Sequence, residues 1–327
     1  MKLLALIEVG LLALLEIVAT LVRRSVHGPR RPGWSLRIEL AQAVMRAVLM
    51  RSKRRGIAWL RAVQATLPVS VPFRNNVTFE PVTLGGVPCE SCTPRGRNPT
   101  RTIVYLHGGG YVIGSAIGVR DLASRLALAV DARVLSVDYR LAPEHPFPAQ
   151  QDDCLAATRA VLAASADPKQ LAIAGDSAGG ALSIATLCAL RDAGDPLPAA
   201  AALLCPWTEP FAEGGSMEAN APFDFGDREL LVGWARAALA AGDASDPRFT
   251  VANAKLAGLP PLLIQVGGVE LLHDQVQRFA QRARAAGVGV SLEVLPEMFH
   301  DVQLQAALLP EGAAALEAVA RFLLART

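Results

Sequence analysis

Leu171-Ala172-Ile173-Ala174-Gly175-Asp176-Ser177-Ala178-Gly179-Gly180 is the stretch on which the fold turns. Four apolar residues of strand character run into Gly-x-Ser-x-Gly (Gly175, Ser177, Gly179), and a helix-like segment follows. A serine in that context sits on a sharp turn with its hydroxyl exposed above a sheet. Small neighbours are required because the backbone reverses within a few atoms, and bulkier side chains would collide. The stretch therefore predicts a nucleophile on a strand–turn–helix unit.

The rest of the chain repeats that unit. Apolar runs at 102–106, 133–138, 171–174, 201–205, 262–266 and 291–295 alternate with helical stretches beginning near Val119, Asp152, Ala178, Arg228, Asp274 and Glu311. Such alternation predicts a mostly parallel sheet with helices on both faces. The nearly unbroken apolar runs fit strands buried on both sides. Residues 77–84 and 87–92 flank Gly85-Gly86 and read as a hairpin, which brings the expected sheet to eight strands. Residues 34–70 read as helical, from the spacing of Trp34, Leu36, Leu40, Val44 and Val48. Residues 206–257 hold no clear strand. With the N-terminal helices they are expected to cover the sheet's C-terminal edge, where open α/β sheets bind ligands. The expected division is an apolar and basic segment over 1–33, cap helices over 34–75, and an α/β core over 76–327 with a cap insertion at about 206–257.

Composition narrows the function. A chain of 327 residues with 52% apolar content has ample material for one α/β unit. A net charge of +2 gives no strong attraction to nucleic acid, and no Gly-x-x-x-x-Gly-Lys-Ser/Thr loop occurs. Cys89 and Cys92 form a lone Cys-x-x-Cys with no second pair and no nearby histidine, so they read as strand residues. Cys154, Cys188 and Cys205 read as small core residues. No metal and no cofactor is expected. Nothing demands an oxidising compartment, and the expected location is the cytoplasm.

The leading segment is ambiguous. Residues 3–22 are strongly apolar and are followed by Arg23, Arg24, Arg30 and Arg31. A bilayer span takes about 20 residues. Glu8 and Glu16 interrupt the run, and an acid at mid-bilayer costs about 3 kcal/mol. A signal peptide fits poorly, because Lys2 is its whole positive region and no clear Ala-x-Ala site ends it. Three readings stand: a helix packed on the protein or lying on a membrane, a true anchor, or a leader. Arg51, Lys53, Arg54 and Arg55 extend the basic character, with Glu39 almost alone as counter-charge. They suit anionic lipid or simply a solvated helix face.

Ser177 needs a base, since a free hydroxyl is a poor nucleophile at neutral pH. Of His27, His107, His145, His273 and His300, only His300 lies in a loop after the last expected strand, at the edge that carries Ser177. The imidazole in turn needs an acid to fix its tautomer. The loop 267–274 offers Glu270 near the strand end and Asp274 one helical turn on. Glu270 is taken as the acid. Asp274 is the alternative, or a helix-start residue satisfying free backbone N–H groups. His107-Gly108-Gly109-Gly110 follows the strand 102–106, and its bare backbone N–H groups, with that of Ala178, suit a developing oxyanion. Donors so aimed contribute roughly 3–4 kcal/mol each to the transition state. His107 itself reads as a loop brace.

At this point the chain resembles the hormone-sensitive-lipase-like esterases, bacterial family IV of the α/β-hydrolases. The resemblance rests on His107-Gly108-Gly109-Gly110, on Asp138-Tyr139-Arg140-Leu141-Ala142-Pro143-Glu144-His145-Pro146-Phe147-Pro148-Ala149, and on Gly175-Asp176-Ser177-Ala178-Gly179-Gly180. It implies an α/β-hydrolase fold and a carboxylester hydrolase, with Ser177 as nucleophile, His300 as base, and Gly109, Gly110 and Ala178 as oxyanion hole. It also implies a cap. The family usually carries Asp-Pro-Leu-x-Asp where this chain reads Glu270-Leu271-Leu272-His273-Asp274, which puts Glu270 at the acid position. Glutamate is one methylene longer, so the loop must recede or the histidine tilt. Asp152, Asp153 and Glu144 match the pattern as bracing groups. Residues 1–33 lie outside the core pattern, although membrane-anchored arylacetamide deacetylases share the core and carry an apolar anchor.

The implied substrates are short- to medium-chain acyl esters, cleaved through an acyl-enzyme. An arylacetamide-type amidase or deacetylase is the alternative. A non-catalytic receptor of this fold, as in the plant gibberellin receptors, is remote because His300 is in place. Trp207, Phe211, Phe223 and Phe225 either line an apolar pocket or form cap core. A small-molecule ester is the expected partner, membrane association is attached to residues 1–33, and a homo-oligomer is left open.

Overall fold

The computed structural model describes residues 2–67, 69–165 and 167–327. Three helices lead the chain: α1 (Lys2–His27), α2 (Leu36–Arg55) and α3 (Ile57–Gln64). The strands are β1 (Val77–Leu84), β2 (Val87–Pro94), β3 (Arg101–Leu106), β4 (Ala132–Val137), β5 (Leu171–Asp176), β6 (Ala200–Leu204), β7 (Leu262–Gly267) and β8 (Val290–Leu295). Helices α4 (Arg120–Val130), α5 (Ala149–Ala164), α6 (Ala178–Ala193), α7 (Ser216–Ala219), α8 (Arg228–Leu239), α9 (His273–Ala285) and α10 (Pro310–Leu324) run between and after them.

The strands form one eight-stranded sheet in the order β1-β2-β4-β3-β5-β6-β7-β8. β1 and β2 pair antiparallel, as do β2 and β4, and from β4 to β8 every pairing is parallel. This is the α/β-hydrolase architecture expected from the alternating pattern.

Strand geometry explains why the runs carry no polar alternation. Successive side chains point to opposite faces. Val104, Leu106, Leu171 and Ile173 enter one core with residues of α5, α6 and α9. Ile103, Tyr105, Ala172 and Ala174 enter the other, with residues of α4 and α10. Both faces are covered, so both registers must be apolar. The same alternation separates Cys89 from Cys92: one thiol joins each core, so the two cannot close on one ion. Burial pushes both thiols up to about 12.

The expected helical region is built of two helices, α2 and α3. Gly56, at φ 82°, is the break, and its N–H caps α2 through Ser52 O. α1 packs along α2, tied by ion pairs of Glu8 with Arg51 and Arg55 and of Arg23 and Arg24 with the buried Glu39. α2 is in turn tied to the insertion between β6 and β7. Gln42 donates to Asp224 O, and Arg46 donates to the carbonyls of Ala221, Asp224 and Gly226. These bonds hold the N-terminal helices and α7–α8 over the ends of β5, β7 and β8.

Candidate active site

The strand–turn–helix unit around Ser177 is built by close approach. A Cβ on Gly179 would collide with the carbonyls of Leu106 and His107 on β3's end, so only glycine lets α6 start against that strand. Ser177 itself has φ 51° and ψ −117°, an uncommon conformation for a side-chain-bearing residue. It is held there from both sides, by Ser177 N–H to Leu204 O (2.8 Å) and Trp207 N–H to Ser177 O (2.9 Å).

His300 comes to Ser177 from the loop after β8. Its Nε2 lies 2.9 Å from Ser177 Oγ, and its Nδ1 lies 3.4 Å from Glu270 Oε1. The second Glu270 oxygen, Oε2, accepts the Gly267 N–H at 2.7 Å. Glu270 is fully buried. The 3.4 Å separation is longer than an ordinary N–H···O bond. Asp274 faces elsewhere: its Oδ2 accepts the N–H of Ser216 at the start of α7, and its own N–H donates to Ser216 Oγ.

Gly109 and Gly110 follow β3 with φ 106° and 59°. A Cβ on Gly110 would strike the Trp234 indole of α8, so the bare backbone lies directly beneath the cap. Among the described residues, no group accepts the N–H of Gly109, Gly110 or Ala178. Gly109 and Gly110 border a cavity of about 200 Å³ whose wall also includes Ser177, His300, Trp207, Phe225, Leu230 and Trp234, and Ala178 follows directly after Ser177. Phe211 and Phe223 are not in that wall. Phe211 packs against Phe249, and Phe223 meets Trp34 edge-on.

The alpha/beta hydrolase fold family matches residues 103–304. An acetyl-hydrolase of Streptomyces hygroscopicus is 42% identical over 275 residues, covering 82% of this chain and 88% of that protein. The chain belongs to the hormone-sensitive-lipase-like α/β-hydrolases. Similarity extends to an esterase of Acinetobacter venetianus, 32% identical over 80% of this chain and 87% of its own. A crystal structure of an esterase from the bacterial hormone-sensitive lipase family superposes with a TM-score of 0.77 at 37% identity, covering 96% of this chain and 98% of that one. The protein is accordingly a carboxylesterase-class hydrolase.

This hormone-sensitive-lipase-like chain also holds buried carboxylates around the site whose part the motifs do not state. Asp224, in the insertion, is buried and accepts three backbone N–H groups: those of Phe225 (2.7 Å), Leu271 (2.6 Å) and His300 (3.1 Å). One carboxylate thereby pins the insertion, the β7 loop and the β8 loop together. Burial lifts its pKa to about 6. Asp176 accepts the Tyr105 hydroxyl at 2.6 Å and is pushed up to about 7 by burial and then by the nearby Asp301.

Asp301 is the second acid beside His300. Its Oδ2 lies 3.1 Å from His300 Nε2, the nitrogen that also faces Ser177, while its Oδ1 is buried with no partner among the described residues. Burial alone would lower the His300 pKa. Asp301, Cys205 and Glu270 outweigh burial and hold it well above the ordinary histidine value.

The bracing residues take concrete roles. His107 Nδ1 approaches Gly108 O at 2.8 Å, and its ring stacks on Tyr139 at 4.2 Å. Arg61 of α3 donates to the carbonyls of Val112 and Ala142 and pairs with Glu144, so a cap helix clamps the glycine loop. Asp153 pairs with Arg140 and accepts its backbone N–H.

Proposed function

We propose that this esterase cleaves short-chain acyl esters through an acyl-enzyme on Ser177. His300 takes the serine proton as Oγ attacks the ester carbonyl. The oxyanion then rests on the N–H groups of Gly109, Gly110 and Ala178. His300 returns the proton to the departing alcohol, and a water deprotonated by His300 releases the acid and regenerates the serine. Glu270 keeps Nδ1 protonated and steadies the imidazolium, so Nε2 is the nitrogen that shuttles the proton. The observation that carries this reading is the 2.9 Å approach of His300 Nε2 to Ser177 Oγ beside three unspent backbone donors.

The cavity supports a short acyl group. At about 200 Å³ it falls below the 300–1,000 Å³ typical of sites for drug-sized ligands. The acetyl-hydrolase of Streptomyces hygroscopicus points the same way. Across p-nitrophenyl acetate, butyrate, octanoate and dodecanoate, kcat/KM is expected to be highest at acetate or butyrate and to fall steeply beyond. A value that climbs through dodecanoate would overturn the short-chain reading. The matched anilide, p-nitroacetanilide, is expected to be cleaved far more slowly than the acetate ester.

The pH dependence follows from the groups around His300. Only the neutral imidazole can accept the serine proton, and its pKa is held high. Activity is therefore expected to rise with pH and reach its plateau on the alkaline side of ordinary histidine titration. Glu270 and Asp301 stand at the two ring nitrogens, the Cys205 thiol lies beside His300 and Asp301, and the buried Asp224 and Asp176 carboxyls are near enough to feel the imidazolium charge. Of these, the Asp301 carboxylate faces Nε2 directly. In Asp301→Asn that carboxylate is gone, so the imidazolium loses a stabilising charge and the acid limb of kcat/KM should move to lower pH. A limb that stays put, or moves up, removes Asp301 from the titration.

A further inference from the structure

We infer that α1 is an interfacial membrane helix, lying in the plane of an anionic lipid surface with its outward stripe among the acyl chains. Leu4, Ile7, Leu11, Leu15, Val18 and Val22 recur at helical spacing on one side of α1. Each is more than half exposed. A helix on the surface of a water-soluble protein turns polar residues outward. Here the order is inverted.

Charged groups of α1 are bound by α2, with Glu8 at the edge of the stripe and Arg23 and Arg24 off it. Glu8 pairs with Arg51 and Arg55 at 2.6 and 3.0 Å, and Arg23 and Arg24 pair with Glu39 at 2.6 and 2.9 Å. Glu16 is half-buried and lies off the stripe. The pairs sit near both ends of α1, so the helix is fastened side-on to α2 along its length. The apolar window Leu4–His27 is about 36 Å long at 1.5 Å per residue, enough to cross a bilayer. Crossing would strip Glu8 and the arginines of these partners and drag their charges into hydrocarbon. Lying flat keeps every pair intact and places only aliphatic side chains in lipid.

Charge selects the surface. α2 runs antiparallel beside α1 and carries exposed Arg37 at one end and exposed Arg54 at the other, neither in an ion pair among the described residues. Basic groups near a membrane surface favour anionic headgroups. The helix pair also stands at the site: Met45 and Leu49 of α2 form part of the active-site cavity wall.

The test is flotation of the full chain with phosphatidylcholine vesicles, with and without phosphatidylglycerol, set beside the double variant Leu11→Glu/Leu15→Glu. Neither leucine touches the site, so hydrolysis of p-nitrophenyl acetate in solution should be equal in both proteins and reports an intact fold. The wild type is expected to float with the anionic vesicles and to be released by alkaline carbonate. The bound fraction of the variant should fall about tenfold or more, since each buried charge is costly. Three results would overturn the inference. The wild type could stay in solution with both vesicles. It could resist carbonate, which marks a spanning helix. Or it could ignore vesicles and sediment as a dimer that the variant dissolves, which assigns the stripe to a second copy.

Discussion

Ser177→Ala is expected to lower kcat on p-nitrophenyl acetate by about 10⁶-fold while leaving the fold intact. The loss follows from the position of one oxygen. Ser177 Oγ is the only atom of the residue within hydrogen-bond reach of His300 Nε2, at 2.9 Å. Alanine keeps the Cβ and removes that oxygen, so no acyl-enzyme can form. The backbone donors of Gly109, Gly110 and Ala178 remain, and they should leave a residual rate about 10³–10⁴ above water. The fold should persist because the turn does not depend on the hydroxyl. Ser177 sits at φ 51° through its backbone bonds to Leu204 and Trp207, and alanine can make both. The strain of that conformation is common to both residues, so thermal unfolding should shift little. A variant that folds and turns over at the wild-type rate would remove Ser177 from the mechanism altogether.

Ser177 was legible because its signal is local. A strand, a glycine-flanked serine and a helix are contiguous in the chain, and steric demands on neighbours show directly in residue type. The same holds for the sheet, whose apolar runs are dictated by burial on both faces. His300 and Glu270 were legible one step further, because each follows a strand and strands of one parallel sheet present their ends on one edge. Asp224 was not legible. Its value lies in collecting N–H groups from positions 225, 271 and 300, and those segments meet only after the insertion folds back over the core. An aspartate in a stretch without strand or motif gives no advance sign of that. Asp301 was hidden for a different reason. A carboxylate directly after a histidine carries no mark of its own in the chain, and only the fold turns both side chains toward the same pocket. The aromatic residues of the insertion divided in a way that type alone does not specify: Trp207 and Phe225 border the cavity, while Phe211 and Phe223 pack away from it. The leading helix divided likewise. Composition counts Glu8 as a penalty against lipid, whereas the structure pairs it with Arg51 and Arg55 of α2.

Glu270→Gln is expected to cost about 10⁴ in kcat, as loss of the orienting carboxylate does in other serine hydrolases. Glutamine has nearly the shape of glutamate, so a packing loss is not the source. Oε2 must accept the Gly267 N–H, and Oε1 must face the Nδ1–H of His300 as its acceptor. A glutamine has one acceptor oxygen for these two tasks. If its oxygen serves Gly267, its NH₂ faces Nδ1 and favours the tautomer with the proton on Nε2. That tautomer cannot receive the serine proton. If the oxygen serves Nδ1 instead, the NH₂ is pressed against a buried N–H, an unsatisfied pair that costs about 1–3 kcal/mol. The 3.4 Å gap to Nδ1 makes the carboxylate's charge, more than an ideal hydrogen bond, the property to be lost. Asp274→Asn is expected to be mild, because its role is to accept the Ser216 N–H and an amide oxygen can still do so. Asp301→Asn should move the pH profile without a comparable loss at the alkaline plateau, since Asp301 lies on the Nε2 side and cannot orient Nδ1. The three variants therefore separate the three acids: plateau kcat singles out Glu270, and the position of the acid limb separates Asp301 from Asp274. A collapse in Asp274→Asn with a mild Glu270→Gln would transfer the orienting role to Asp274. A plateau collapse in Asp301→Asn would mean that His300 is held from its other nitrogen.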